Sequence, residues 1–284
     1  MSHGNKQAKR ISPASLGLPF CGADTHAHLG KASSSNEIDI SEKFSTIISN
    51  AKEAGVSLIG QIFLHPDRYI EERELYSNLP LQVFFALAIH PMEAHLATDV
   101  VMHDISKAID EDSRIKAVGE TGLDYFWESM CNRATQQDVF RKHIDLALSK
   151  KLPLIIHSRD AASDTLKILE EKNFTSPLLW HCFSGDAINH LDRILANGWS
   201  IAVGGAITYP ANSDIREAIK RIPLERLMLE TDSPYLAPIP WRGVPNEPAF
   251  TAFTCAKVAE VLEIKPDVLW CICGENARNF FDIQ

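Results

Sequence analysis

The sequence predicts an α/β protein, a (β/α)8 TIM barrel, on three observations. Eight near-continuous apolar runs recur along the 284 residues, and runs of that kind belong to strands buried on both faces, as in a parallel sheet. Segments with helical spacing separate them, so strand and helix alternate. The chemistry-bearing polar residues fall at the C-terminal ends of the runs, which a barrel gathers at one mouth. A doubly wound sheet is the rival fold, but the GxGxxG turn it usually carries is absent after the first run.

The elements follow in order. Residues 1–18 are basic, lack an apolar stretch and read as a flexible tail, which leaves residues 19–284 as a single domain. The first strand candidate is PFCGADTHA (19–27). SEKFSTIISNAKEAG (41–55) is helical, with Ser41 as N-cap and Gly55 as terminator. VSLIGQIF (56–63), QVFFALAIH (82–90) and IKAVGETG (115–122) are the next three strands. ATQQDVFRKHIDLALSKK (134–151) is a helix that turns Val139, Ile144, Leu146 and Leu148 inward. LPLIIHS (152–158) and PLLWHCF (177–183) are strands five and six, and DAINHLDRILANG (186–198) is a helix ending at Gly198. WSIAVGG (199–205), the helix DIREAIKRI (214–222) and the strand RLMLETD (226–232) complete the pattern.

The apolar fraction, 45%, is that of an ordinary globular protein. A net charge of −9 argues against a broadly basic nucleic-acid surface. It leaves nucleic acid open as a substrate, because metal ions in a carboxylate-rich pocket meet phosphate locally. The six cysteines, at 21, 131, 182, 255, 271 and 273, form no CxxC, and Cys271 and Cys273 face different ways on a helix. They are expected as reduced, mostly buried thiols in a cytoplasmic protein. No apolar run approaches the roughly 18 residues of a membrane span, and no obligate protein partner is evident.

His26 and His28 lie one residue apart at the end of strand one. In an extended segment i and i+2 share a face, so the pair projects together as two ligands of one metal would. Glu120, His157, His181 and Asp232 end strands four, five, six and eight. Each alone is an ordinary polar strand end. Together at one mouth they are six N and O donors, a set that suits two divalent metals with a carboxylate between them.

With these motifs the chain resembles the TatD family of metal-dependent deoxyribonucleases, within the amidohydrolase-like barrels. The resemblance runs from about residue 22 to the C-terminus through DTHAHL, AIHP, VGETGLDY, IIHSRDA, HCFSG, LETDSPYLAP, RGVPNEP and ENARNFF. It implies that His26 and His28 bind one metal, Glu120 bridges both, His157 and His181 bind the second, and Asp232 completes the set and handles the nucleophilic water. The implied ions are Mg, Mn or Zn. The implied reaction is phosphodiester hydrolysis in DNA catabolism, with 3′ to 5′ polarity and single-stranded DNA, or RNA, as substrate. The chain departs from the family's pattern at Met92, where a second histidine often stands, and at Gly30, where aspartate is common.

Other residues keep two readings. His90 is a phosphate or second-sphere group, or a turn histidine before Pro91. Arg159 contacts phosphate, or pairs with Glu120 or another acid. Arg242 contacts phosphate through its fork geometry, or pairs with Glu247 or Glu230. Asp124 reads as a structural acid near the mouth, and at least two of Tyr125, Phe126 and Trp127 as packing residues, the rest being free to stack on a base. His65, His95, His103, His143 and His190 read as ordinary surface or loop residues. The same barrel also supports an amidohydrolase or lactonase, an ester hydrolase on aminoacyl-tRNA, or a non-catalytic metal-binding scaffold. Glu120 in the bridging place, where many amidohydrolases use a carbamylated lysine, favours the nuclease. An acidic protein with few cations at a closed mouth points to strand ends rather than the middle of a duplex.

Overall fold

The computed structural model describes residues 10–30 and 37–284. Its strands are β1 Gly22–Ala27, β2 Val56–Phe63, β3 Gln82–Leu87, β4 Ile115–Asp124, β5 Leu154–Arg159, β6 Leu178–Trp180, β7 Ser200–Val203 and β8 Leu227–Leu229. They form one parallel sheet in chain order. The sheet curls until its edges meet. Ala27 bridges Ser233, the His28 N–H donates to the Ser233 carbonyl at 2.8 Å, and the Asp232 N–H donates to the His26 carbonyl at 2.9 Å. The helices are α1 Glu37–Glu53, α2 Pro66–Glu72, α3 Asp99–Glu111, α4 Arg133–Lys150, α5 Ala162–Glu171, α6 Leu191–Ala196, α7 Ser213–Ile219, α8 Thr251–Leu262 and α9 Pro266–Phe280.

Two apolar layers follow from the pleat. Inward residues such as Leu58, Phe84, Ile155 and Met228 fill the barrel. At its base Phe281, just past α9, stacks on Phe84 with ring centroids 4.0 Å apart, so the last helix plugs the end opposite the mouth. Outward residues such as Ile59, Phe85, Leu154 and Ile201 meet the helices. Burial of both faces is the physical origin of the unbroken apolar runs.

Several expectations are corrected. α1 begins at Glu37, so Ser41 lies inside the helix and is not its N-cap. On α4 it is Val139, Phe140, Ile144 and Ala147 that are buried, while Leu146 and Leu148 are half-buried at its flank. His143 is no surface residue. It is fully buried, accepting the Ile89 N–H at Nε2 (3.2 Å) and donating from Nδ1 to the Val139 carbonyl (2.9 Å), and burial pushes it down to about 4. Of the segment expected as a tail, Pro13–Leu16 form a 3₁₀ turn and the Ile11 carbonyl accepts the Trp241 indole N–H at 2.9 Å. Residues 1–9 lie outside the described residues.

The thiols are corrected as well. Cys21 and Cys271 form a disulfide across 250 residues of sequence; Cys131, Cys182, Cys255 and Cys273 are free. The reason is close packing of α9 on the start of β1. A Cβ on Gly274 would lie 2.0 Å from the Cys21 carbonyl oxygen, so only glycine admits the approach. The bond ties the first strand to the last helix. Cys21→Ser/Cys271→Ser should therefore lose about 2–4 kcal/mol of stability, the usual worth of a disulfide closing a long loop. Urea titrations of the double variant and of oxidised protein should differ by that amount, and coincident curves would show that packing alone holds α9. Among the described residues no helix is long and apolar enough to cross a membrane.

Candidate metal centre

The mouth collects its polar groups from the C-terminal ends of the strands: His26, Glu120 and His157 lie within β1, β4 and β5, His28 and His181 one residue past β1 and β6, and Asp232 three residues past β8. β1 delivers His26, and the chain continues to His28. Their Nε2 atoms lie 3.2 Å apart. Asp24 fixes this end by accepting the N–H groups of His26 (3.2 Å) and Thr231 (2.8 Å), which ties β1 to the segment after β8. β4 carries Glu120, 3% exposed. Its two oxygens face different partners. Oε2 lies 3.2 Å from His26 Nε2 and 3.6 Å from His28 Nε2. Oε1 lies 2.8 Å from His157 Nδ1, 3.0 Å from His181 Nε2 and 3.6 Å from His90 Nε2. Asp232 Oδ1 closes the first group, 3.4 Å from His28 Nε2 and 3.9 Å from His26 Nε2.

These spacings test whether the residues fit a metal. Donors bound at 2.0–2.2 Å around one ion stand roughly 2.8–3.6 Å apart along the edges of its coordination sphere. Nearly every contact around Glu120 falls in that interval. The donor chemistry agrees, since imidazole nitrogens and carboxylate oxygens are the ligands of Zn, Mn or Fe. His26, His28 and Glu120 form one group with metal-holding geometry, and His90, Glu120 and His157 another. Burial would push Glu120 up, but the imidazoles of His181, His26 and His90 hold it well below the usual carboxylate range, so it stays ionised.

Outer partners hold the histidines in place. His157 Nε2 donates to Asp124 Oδ2 at 2.9 Å, and His181 Nδ1 donates to Glu230 Oε1 at 3.2 Å. A carboxylate behind each ring fixes which nitrogen faces inward and strengthens it as a ligand. Asp124 Oδ1 also accepts the Trp127 N–H at 3.0 Å, which anchors the loop after β4. Glu230 also accepts the Cys182 N–H at 2.7 Å. A cavity of about 380 Å³ opens beside the centre, lined by His157, Arg159, His181, Tyr209, Asp232 and Leu236 among others. A smaller one, about 160 Å³, opens on the His28 side beneath Tyr235.

The family model of the TatD related DNases matches residues 23–282. The chain belongs to the TatD family. It is 32% identical over 264 residues to the uncharacterized metal-dependent hydrolase YabD of Bacillus subtilis, covering 92% of this chain and 99% of that one. It is 30% identical over 266 residues to the uncharacterized metal-dependent hydrolase TatD of Mycobacterium tuberculosis, covering 92% and 97%. The crystal structure of YjjV, a TatD homologue from Escherichia coli, superposes with a TM-score of 0.83 at 27% identity, covering 93% and 99%. Membership makes the chain a metal-dependent hydrolase with a barrel fold.

All six residues singled out at the strand ends meet within this TatD centre, and His90 joins them. The turn reading of His90 is seen directly, since Nδ1 accepts the Met92 N–H at 3.2 Å, and its Nε2 faces Glu120 Oε1 at 3.6 Å. Arg159 and Arg242 pair with none of the acids considered for them. Arg159 stacks on Phe126, its guanidinium carbon 3.8 Å from the ring centroid, and Arg242 stacks on Tyr209 at 4.3 Å. Glu247 accepts from Asn50 instead. In the aromatic run only Tyr125 is buried, while Phe126 and Trp127 are exposed and pack within the loop, edge to face with ring centroids 5.0 Å apart. Gly30 has a local reason: its φ is +121°, and a Cβ there would stand 2.2 Å from Glu72 Oε2. Glu230 was missed, although its place two residues before Asp232 in LETD puts both acids on one face of an extended segment.

Proposed function

We propose that this chain is a phosphodiester hydrolase that shortens single-stranded DNA from its 3′ end, using two divalent ions held across Glu120. The observation that carries the reading is the division of Glu120: Oε2 faces His26 and His28, Oε1 faces His157 and His181. A single carboxylate with separate donors on each oxygen is what a bridging ligand requires. Two divalent ions there, Mg, Mn or Zn, would acidify a water and neutralise phosphate oxygens.

The chain's own residues do the rest. Asp232, on the cavity wall, orients the attacking water and takes its proton on the carboxylate. Glu120, ionised and buried, keeps both halves of the centre in fixed register. The backbone N–H of Asp232, bonded to the His26 carbonyl, holds the base against the first donor group. The cavity beside the centre is of a size for one nucleotide unit rather than a duplex. The DNase activity for which the family is named supports the substrate class.

The experiment uses protein stripped of metal and reloaded with Mg, Mn or Zn. A 5′-labelled linear single strand should shorten from its 3′ end, and a circular strand of equal composition should resist. A circle cut as fast as the linear strand would overturn the end-binding account. No cleavage of either with any metal would remove the phosphodiester reading itself.

A further inference from the structure

In a protein with 37 acidic and 28 basic residues, arginines find partners easily. Almost every arginine here does so. Among the described residues, all but two direct a guanidinium N–H at a carboxylate, hydroxyl, amide or carbonyl oxygen. The exceptions are Arg159 and Arg242. Both are exposed, and both lie over an aromatic ring, Arg159 over Phe126 and Arg242 over Tyr209, a residue of the cavity that Arg159 also lines. Stacking holds a guanidinium's plane without using any of its five donors. Two such groups beside one cavity, with no hydrogen-bond or ion-pair partner among the described residues, suit planar or tetrahedral oxyanions.

Their positions say more. Arg159 ends β5 and rests on the loop after β4; Arg242 belongs to the loop after β8. Arg159 and Tyr209 line the same cavity, which opens on His157, His181 and Asp232. The guanidiniums therefore stand at two places around one cavity that opens on the centre, Arg159 lining it and Arg242 over its Tyr209. Asp160 lines the cavity too, next to Arg159, while Asp186 is occupied by the Ala162 N–H at 2.8 Å. The walls above carry exposed apolar side chains, Trp127 on one side and Tyr235 and Leu236 on the other, surfaces on which unpaired bases can rest.

We infer that Arg159 and Arg242 are paired phosphate holders, so the site takes a strand bearing further phosphates besides the one at the centre, rather than an isolated phosphodiester. This rests on the phosphodiester reading and adds to it the two residues that would hold the strand's further phosphates. Phe126 and Tyr209 act as positioning residues, keeping each fork turned toward the strand.

Equilibrium binding tests the assignment apart from hydrolysis. Fluorescein-labelled single-stranded DNA is titrated into the Asp232→Asn protein, alone and combined with Arg159→Ala, Arg242→Ala or Phe126→Leu, over a range of salt. Each arginine removed should weaken binding about tenfold to a hundredfold, the span for a hydrogen-bonded charged group. Each should also reduce the slope of log affinity against log salt by about 0.7, the value for one phosphate on a single strand. Phe126→Leu should weaken binding with the salt slope kept, because the charge remains. In turnover by otherwise wild-type protein, either arginine variant should lose at least about tenfold more on a short oligonucleotide than on bis(p-nitrophenyl) phosphate, which has one phosphate only. An unchanged salt slope in both arginine variants would overturn the inference, as would equal losses on the two substrates. If wild-type protein cleaves neither substrate, the phosphodiester reading fails while the binding slopes still decide the role of the arginines.

Discussion

Asp232→Asn should reduce turnover at least about a hundredfold, the usual cost of removing a general base, with little loss of folded protein. The carboxylate sits where the substrate cavity meets the donors, Oδ1 lying 3.4 Å from His28 Nε2. Burial would push it up, but the hydrogen bond from His28 and the charges of His181 and His26 hold it below its ordinary value, so it is ionised and can accept a proton. Asparagine keeps the size and one coordinating oxygen, but it cannot accept the proton. It also tolerates the left-handed backbone that Asp232 adopts, φ 55°, which asparagine visits more readily than most residues. The main-chain bond to His26 needs no side chain and survives. Turnover at saturating substrate, measured alongside metal content and a melting curve, separates chemistry from folding. A variant with wild-type turnover would mean that another group takes the proton.

The barrel was legible because parallel strands buried on both faces leave unbroken apolar runs, and all eight runs became strands. Their lengths were less legible. β6 and β8 are three residues each, so His181 and Asp232 lie beyond the strands rather than on them. The start of α1 was hidden because Ser41 imitates an N-cap, although helical pairing continues back to Glu37. The disulfide was hidden by its 250-residue separation, since spacing carries no information about which helix returns to the first strand.

The donors were legible for a simple reason. A histidine or acid at the mouth end of an apolar strand has few structural roles, and parity puts His26 and His28 on one face. Their supports were less so. Asp124 lies four residues after Glu120 on the same face of β4, and the register that pairs Asp124 with Arg159 and Gly122 with His157 brings its carboxylate to His157 Nε2. Strand parity alone would have suggested this, but not the register. His143 looked like surface because a helix with several charged residues gives no hint of which histidine is inward; its partner, the Ile89 amide, belongs to a different unit. Phe126 and Trp127 are half-exposed because the Asp124 bond to the Trp127 amide sets the backbone of their loop, and their rings pack on each other and under Arg159 rather than into the core.

Glu120→Gln should be the more severe replacement, because it breaks the symmetry of the centre rather than removing one base. An ionised carboxylate offers an acceptor to each donor group; an amide offers one oxygen and one NH2. The NH2 should turn toward the side that carries the acceptor Asp232, leaving the amide oxygen toward His157 Nδ1 and His181 Nε2. The His26–His28 side then meets a hydrogen donor where a ligand oxygen stood, while the His157–His181 side keeps its oxygen without the charge. Under the two-ion proposal, bound metal should fall from two equivalents to one at most, and turnover should fall below that of Asp232→Asn. The metal-free protein should suffer too. His157, which burial alone would lower, is pushed up to about 9 by the hydrogen bonds of Asp124 and Glu120, so it is charged at neutral pH without metal. Breaking a buried ion pair by neutralising one partner costs about 3–5 kcal/mol when no other charge compensates, and Asp124 remains to compensate in part. The melting temperature in chelator should therefore drop, by less than a fully orphaned charge would cause. Metal analysis after dialysis against Mn decides the issue: a variant that keeps two tightly held equivalents would show that Glu120 does not bridge, and the division of its two oxygens would need another explanation.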